Sequence, residues 1–138
     1  MLSKKTQYAL KALGYLATKY GEGPILISDI ANQKKIPIKF LETILLELKQ
    51  AKILESKKGK GGGYFLAQPP KKISLATAMR VVGGPIALIP CVSINFYEKC
   101  KDCDEATCGL NKAMRITRNA TLKILEKKTL LELVDTAE

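Results

Sequence analysis

The 138-residue chain has no histidine, no tryptophan and few aromatics (6%), and its 13 acidic residues are outnumbered by 23 basic ones. Without histidine there is neither a Ser/His/Asp nucleophile set nor a His-ligated catalytic zinc. A P-loop and paired carboxylates in an active-site pattern are also missing, so no enzyme is expected. No stretch approaches the roughly 18 apolar residues of a membrane span. The opening Met-Leu-Ser-Lys-Lys-Thr-Gln lacks the apolar core of a secretion signal, so a cytoplasmic protein is expected. There is no internal repeat, and the length suits one compact domain or a domain with an extension.

The shortage of acid leaves a net charge of +10, and its placement is informative. Through residue 80 there are 15 Lys or Arg against 5 Asp or Glu, and after it 8 of each. The surplus therefore lies wholly in the first part, where it favours a polyanion such as nucleic acid or an anionic membrane surface. All four cysteines, Cys91, Cys100, Cys103 and Cys108, lie in the neutral part. Two tasks on one chain are implied.

Ala9, Ala12, Leu13, Leu16, Ala17 and Tyr20 recur at helical spacing, predicting an amphipathic helix that ends near Gly21 and Gly23. Ser28 is the expected cap of a short helix over 29–34, with Asp29 favourably placed in its first turn. After a turn through Lys35, Ile36 and Pro37, Leu41, Ile44, Leu45 and Leu48 form the next apolar stripe. Two helices joined by a short turn predict helix-turn-helix. Residues 53–58 and 63–66 read as strands joined by Gly59-Lys60-Gly61-Gly62, a small hairpin with a basic tip. Ser74 is the expected cap of a helix over about 75–82 that stops at Gly83-Gly84-Pro85. The fold class is mainly α with a small β-hairpin: a winged helix-turn-helix.

Residues 86–109 show no sustained period and read as an irregular loop. From Leu110 on, Ala113, Met114, Thr117, Ala120, Thr121 and Ile124 follow helical spacing, with Ile116 and Leu125 off that stripe. A long helix over about 110–127, apolar on more than one side, needs a partner. Thr129 and Glu132 form a capping box opening a last short helix. The organisation read is 1–84 as DNA-binding domain, 85–109 as cysteine-bearing cofactor loop and 110–138 as long helix with a short terminal one.

The N-terminal end of a second helix in this motif faces base edges in the major groove. Here Lys39 suits guanine or phosphate, Glu42 a cytosine amino group, Thr43 either role, and Phe40 a thymine methyl; Phe40 would equally suit a core. At the hairpin tip, Lys57, Lys58 and Lys60 alternate with glycines, including Gly61 and Gly62, that let the backbone approach phosphate or a minor groove. Lys4 and Lys5 are further candidates for phosphate.

The cysteines are spaced C-x8-C-x2-C-x4-C. Four thiolates close in sequence suit a soft metal or an iron-sulfur cluster, with Asp102, Asp104 or Glu105 as possible additional donors. A disulfide switch is the alternative that spacing leaves open, and in a reducing compartment structural disulfides are disfavoured.

Tyr8-Ala-Leu-Lys-Ala-Leu, Ile30-Ala, Phe40-Leu-Glu and above all Lys58-Gly-Lys-Gly-Gly-Gly-Tyr-Phe-Leu-Ala resemble the Rrf-two family of bacterial winged-helix transcription regulators over nearly the whole chain. The family wing usually reads arginine-glycine-proline-glycine-glycine-glycine-tyrosine; here Lys58 stands for the arginine, Lys60 for the proline, and Tyr64 closes the motif. Lysine keeps the charge but loses the planar fork. The resemblance implies a homodimer through the long helix and a palindromic double-stranded DNA operator, contacted by Tyr8 and the residues above. It also implies an iron-sulfur cluster on three loop cysteines plus a variable fourth ligand. Cys91 and Cys108 match the outer two, and the middle one is Cys100 or Cys103. Where the family's regulator of cluster assembly places a histidine ligand, this chain has Asn111, a poor iron ligand, so four cysteine ligands are expected, with two-iron versus four-iron open. The function expected is a transcription regulator, by family likeness a repressor, whose operator affinity is controlled by the cluster, sensing iron, redox state or nitric oxide. A structural zinc or thiol switch on a DNA-binding regulator is the alternative. An iron-sulfur electron carrier would explain the cysteines but not the wing.

Overall fold

In the computed structural model, which describes residues 2–83 and 86–135, the chain enters helix α1 (Lys4–Thr18) at Ser3, whose hydroxyl accepts the Thr6 amide at 3.1 Å. Ala9, Ala12, Leu13, Leu16 and Ala17 form its buried face. Tyr20, on the same predicted stripe, lies past the helix end and is exposed, because the turn after Thr18 takes it off the helical face.

Helix α2 (Ile27–Lys34) starts earlier than expected, and Ser28 sits inside it rather than capping it. Tertiary pairing sets the entry instead: Ile25 exchanges two backbone hydrogen bonds with Tyr64, at 2.9 and 2.8 Å. Asp29 occupies the first turn as predicted. Lys35, with φ 53°, turns the chain into helix α3 (Ile38–Gln50), where Leu41, Ile44, Leu45 and Leu48 are fully buried. Strands β1 (Leu54–Lys57) and β2 (Gly63–Leu66) pair antiparallel, Leu54 opposite Leu66 and Lys57 opposite Gly63. Helix α4 (Leu75–Gly83) is capped by Ser74, which accepts the Thr77 amide at 3.1 Å. Gly84 and Pro85, expected to end it and to carry the first domain boundary, lie outside the described residues.

The segment after residue 85 is irregular apart from a 3-10 turn, Pro90–Val92, and leads to helix α5 (Gly109–Lys127). One face of α5, with Asn111 and Leu122 buried, packs on the body, while Ala113, Ile116, Thr117, Ala120 and Ile124 face outward. The chain then returns to the body: Lys128 accepts the Leu75 amide at 2.9 Å and Leu130 donates to the Ile73 carbonyl at 3.1 Å. The last element, Leu130–Leu133, is a 3-10 turn. Thr129 caps it through the Leu131 amide, but Glu132 turns to Lys128 at 3.8 Å instead of completing the capping box. Leu130 is fully buried, and Leu133 lies so close to α1 that a Cβ on Gly14 would stand 2.5 Å from its carbonyl oxygen. Among the described residues no helix is long and apolar enough to cross a membrane.

Candidate DNA interface and cysteine loop

The α2-turn-α3 unit exposes the predicted contact residues at the start of α3: Lys39, Glu42 and Thr43 are exposed and Phe40 is 42% exposed. Phe40 is neither core nor free. Its ring meets Tyr8 edge to face, centroids 5.6 Å apart, and lines a cleft with Lys5 and Thr43. Tyr8 in turn lies under the Lys4 ammonium at 5.5 Å, whereas Lys5 is tied to Glu47 of α3 at 2.7 Å. These contacts hold α1 against α3, and Lys39 stands exposed beside them.

The wing keeps its basic tip in solvent. Lys57, Lys58 and Lys60 are all exposed, and Gly59 and Gly61 take positive φ (86° and 75°), where a side chain would be strained. Gly62 is buried beneath the tip, with the Lys57 carbonyl oxygen 2.2 Å from where a Cβ would sit. Tyr64 is half-buried and anchors the wing base through its bonds to Ile25. Gly61 thus shapes the tip, while Gly62 and Tyr64 hold it.

Cys91, Cys100 and Cys108 are partly exposed and Cys103 exposed, all as free thiols. Interaction with the Cys103 side chain, aided by the backbone at Asp102 and Cys103, holds the Cys100 thiol below the usual range, whereas Cys100, desolvation and Cys108 together push Cys103 up to about 12. Cys91 and Cys108 meet at Asn111: its side-chain Nδ2 donates to Cys91 Sγ at 3.3 Å and its backbone N–H to Cys108 Sγ at 3.4 Å. Among the described residues no three Cys, Asp or Glu side chains are drawn together tightly enough to hold a metal ion. The donor set itself, four thiols and no histidine, is the kind that takes soft metals and iron-sulfur clusters. The nearby acids have structural bonds. Glu105 accepts from Tyr97 Oη at 2.8 Å, which raises the tyrosine pKa, and from the Cys100 amide at 3.2 Å; Asp104 accepts the Ala106 amide at 3.0 Å.

Sequence reasoning weighed Asn111 only as a metal ligand and did not single out Arg115 or Arg118. Arg115 donates to Asn111 Oδ1, and Arg118 Nη1 donates to the Val92 carbonyl at 2.7 Å. The signal was present as polar residues at positions 111, 115 and 118, one face of α5.

A helix-turn-helix followed by a glycine-rich basic wing, with a long helix packed behind it, defines a winged-helix DNA-binding regulator. The chain belongs to the Rrf2 family, described as iron-dependent transcriptional regulators, matching its profile over residues 2–136. It is 37% identical to an Rrf2-like HTH-type transcriptional regulator of Rhodobacter capsulatus, across 97% of this chain and 92% of that protein. It is 30% identical to the regulator CymR of Bacillus subtilis, across 96% and 88%. The solved structure of CymR, the global cysteine regulator of B. subtilis, superposes with a TM-score of 0.80 at 29% identity, covering 100% of this chain and 98% of that one. The structure of IscR from T. potens gives 0.75 at 25% identity, covering 96% and 85%. The chain is a transcription regulator and not an enzyme.

Proposed function

We propose that the protein is a homodimeric repressor whose affinity for a palindromic operator is set by an iron-sulfur centre on its cysteine loop. The observation that carries this reading is that Cys91 and Cys108 are both bonded to the first turn of α5, the helix that packs on the DNA-binding body with one face and leaves the other uncovered. Cys91, Cys100, Cys103 and Cys108 would hold the cluster, which supplies redox chemistry and reactivity toward oxygen or nitric oxide when bound.

The chain's own residues do the rest. Ile116 and Ile124, 63% and 58% exposed on the outer face of α5, supply apolar surface for the same helix of a second copy. Pairing there sets the separation of two α3 helices, so that Lys39, Phe40, Glu42 and Thr43 of each copy meet successive half-sites. Lys58 and Lys60 reach phosphate or minor groove from the wing, and Lys4, Lys5 and Tyr8 line the backbone side. Three working parts follow: residues 1–84 bind DNA, 85–109 carry the signal and 110–138 pair the copies.

Anaerobic purification followed by iron, acid-labile sulfide and zinc analysis tests the cofactor. The account expects two or four of both iron and sulfide per chain, on the order of known clusters, with visible absorption; a colourless protein with one zinc per chain contradicts it.

A further inference from the structure

We infer that Asn111 is a positioning residue that holds Cys91 and Cys108 together and fastens the cysteine loop to α5. The inference rests on the reading of these two cysteines as ligands. Asn111 is only 2% exposed, and both of its nitrogens donate to sulfur, Nδ2 to Cys91 and the main-chain N–H to Cys108. The orientation of the amide is fixed chemically. A guanidinium only donates, so the Arg115 bond requires Oδ1 to face Arg115 and leaves Nδ2 facing Cys91. The positive charge also polarises the amide and strengthens the bond to sulfur.

One residue thus joins cysteines 17 positions apart in sequence. The backbone share of the clamp lies in the first turn of α5, where free amide groups already favour negative charge. Two turns further along the same face, Arg118 holds the Val92 carbonyl, so the Pro90–Val92 turn is gripped twice by α5. A change at Cys91 is therefore passed to the helix directly, through Asn111. Asn111 accordingly acts on the site as a donor to sulfur rather than as a metal ligand, with the outer-shell effect on affinity that such donors have.

The test uses metal-free, reduced full-length protein titrated anaerobically with cobalt(II), read by thiolate-to-cobalt charge-transfer absorption. Asn111→Leu removes the side-chain donor and keeps the backbone one. It is expected to weaken cobalt binding by about 10- to 100-fold, the range for outer-shell partners, and to move the band to longer wavelength, since a sulfur that loses a hydrogen bond gives up its electrons more readily. Arg115→Leu, at an exposed position, provides the second variant should the buried substitution fail to fold: it leaves the amide free to turn and is expected to move affinity and band in the same direction by less. Unchanged affinity and band position in a folded Asn111→Leu, or in Arg115→Leu if that variant alone folds, overturn the inference and leave the cysteine ligands standing. A wild-type protein that develops no thiolate-to-cobalt absorption overturns the ligand reading and the inference with it.

Discussion

Lys58 stands at the exposed wing tip where the family usually has arginine, and a lysine there neutralises phosphate as a point charge without a bidentate fork. Lys58→Ala is expected to weaken DNA binding across sequences and to lower the salt dependence by about one counterion, measured by anisotropy over a salt series, with cofactor content unchanged. The thiols give a pH-dependent expectation for the reduced, metal-free protein. Because interaction within the Cys100–Cys103 pair lowers the Cys100 pKa while Cys103 is pushed up to about 12, Cys100 is the first of the two to ionise as pH rises. Mass mapping after brief iodoacetamide treatment near pH 8 should find Cys100 alkylated before Cys103, despite the greater exposure of Cys103; the reverse order contradicts that ordering of the two thiols. At this scale the sequence showed which residues carry charge and sulfur, because type alone declares them. It did not show that Phe40 would rest on Tyr8, or that Asn111 would donate to two sulfurs. Both depend on segments distant in sequence meeting in the fold.

The elements were legible wherever the apolar period decided them. The stripes of α1 and α3 are buried as spacing predicts, since a helix with one apolar face has one way to hide it. Local signals failed where tertiary bonds took over: Ser28 lost the start of α2 to the Ile25–Tyr64 pairing, and the final capping box is half made in a segment held by backbone bonds to Ile73 and Leu75. In α5 the stripe was found by spacing, and the structure turns it outward. Ile116→Asp or Ile124→Asp is therefore expected to leave the monomer folded and abolish dimerisation, read by sedimentation; a dimer that survives both changes excludes this face as the interface. On the other side of the body, Gly14→Ala drives a Cβ into the Leu133 carbonyl, and the expected cost is about 1–3 kcal/mol in urea unfolding, the usual range for overpacking.

Across the whole molecule, charge and sulfur are separated in sequence and joined through α5. The part through residue 80, which carries the basic surplus, includes Lys39 at the α3 end and Lys57, Lys58 and Lys60 on the wing, while the neutral remainder supplies the loop and the long helix. After α5 the chain returns to α1, where Leu130 is buried and Lys34 of α2 pairs with Asp135, so the long helix is attached to the DNA-binding body at its end as well as along its face. That double attachment gives a change at the loop a physical route to the recognition helices. For such a switch to work, the two states must bind operator with different affinity. The decisive measurement is operator affinity by anaerobic gel shift, on a site first selected from random DNA, comparing protein with its cofactor and the same preparation stripped of it. The account predicts a difference of at least tenfold, about 1.4 kcal/mol; equal affinities would contradict cofactor control while leaving the DNA-binding function intact.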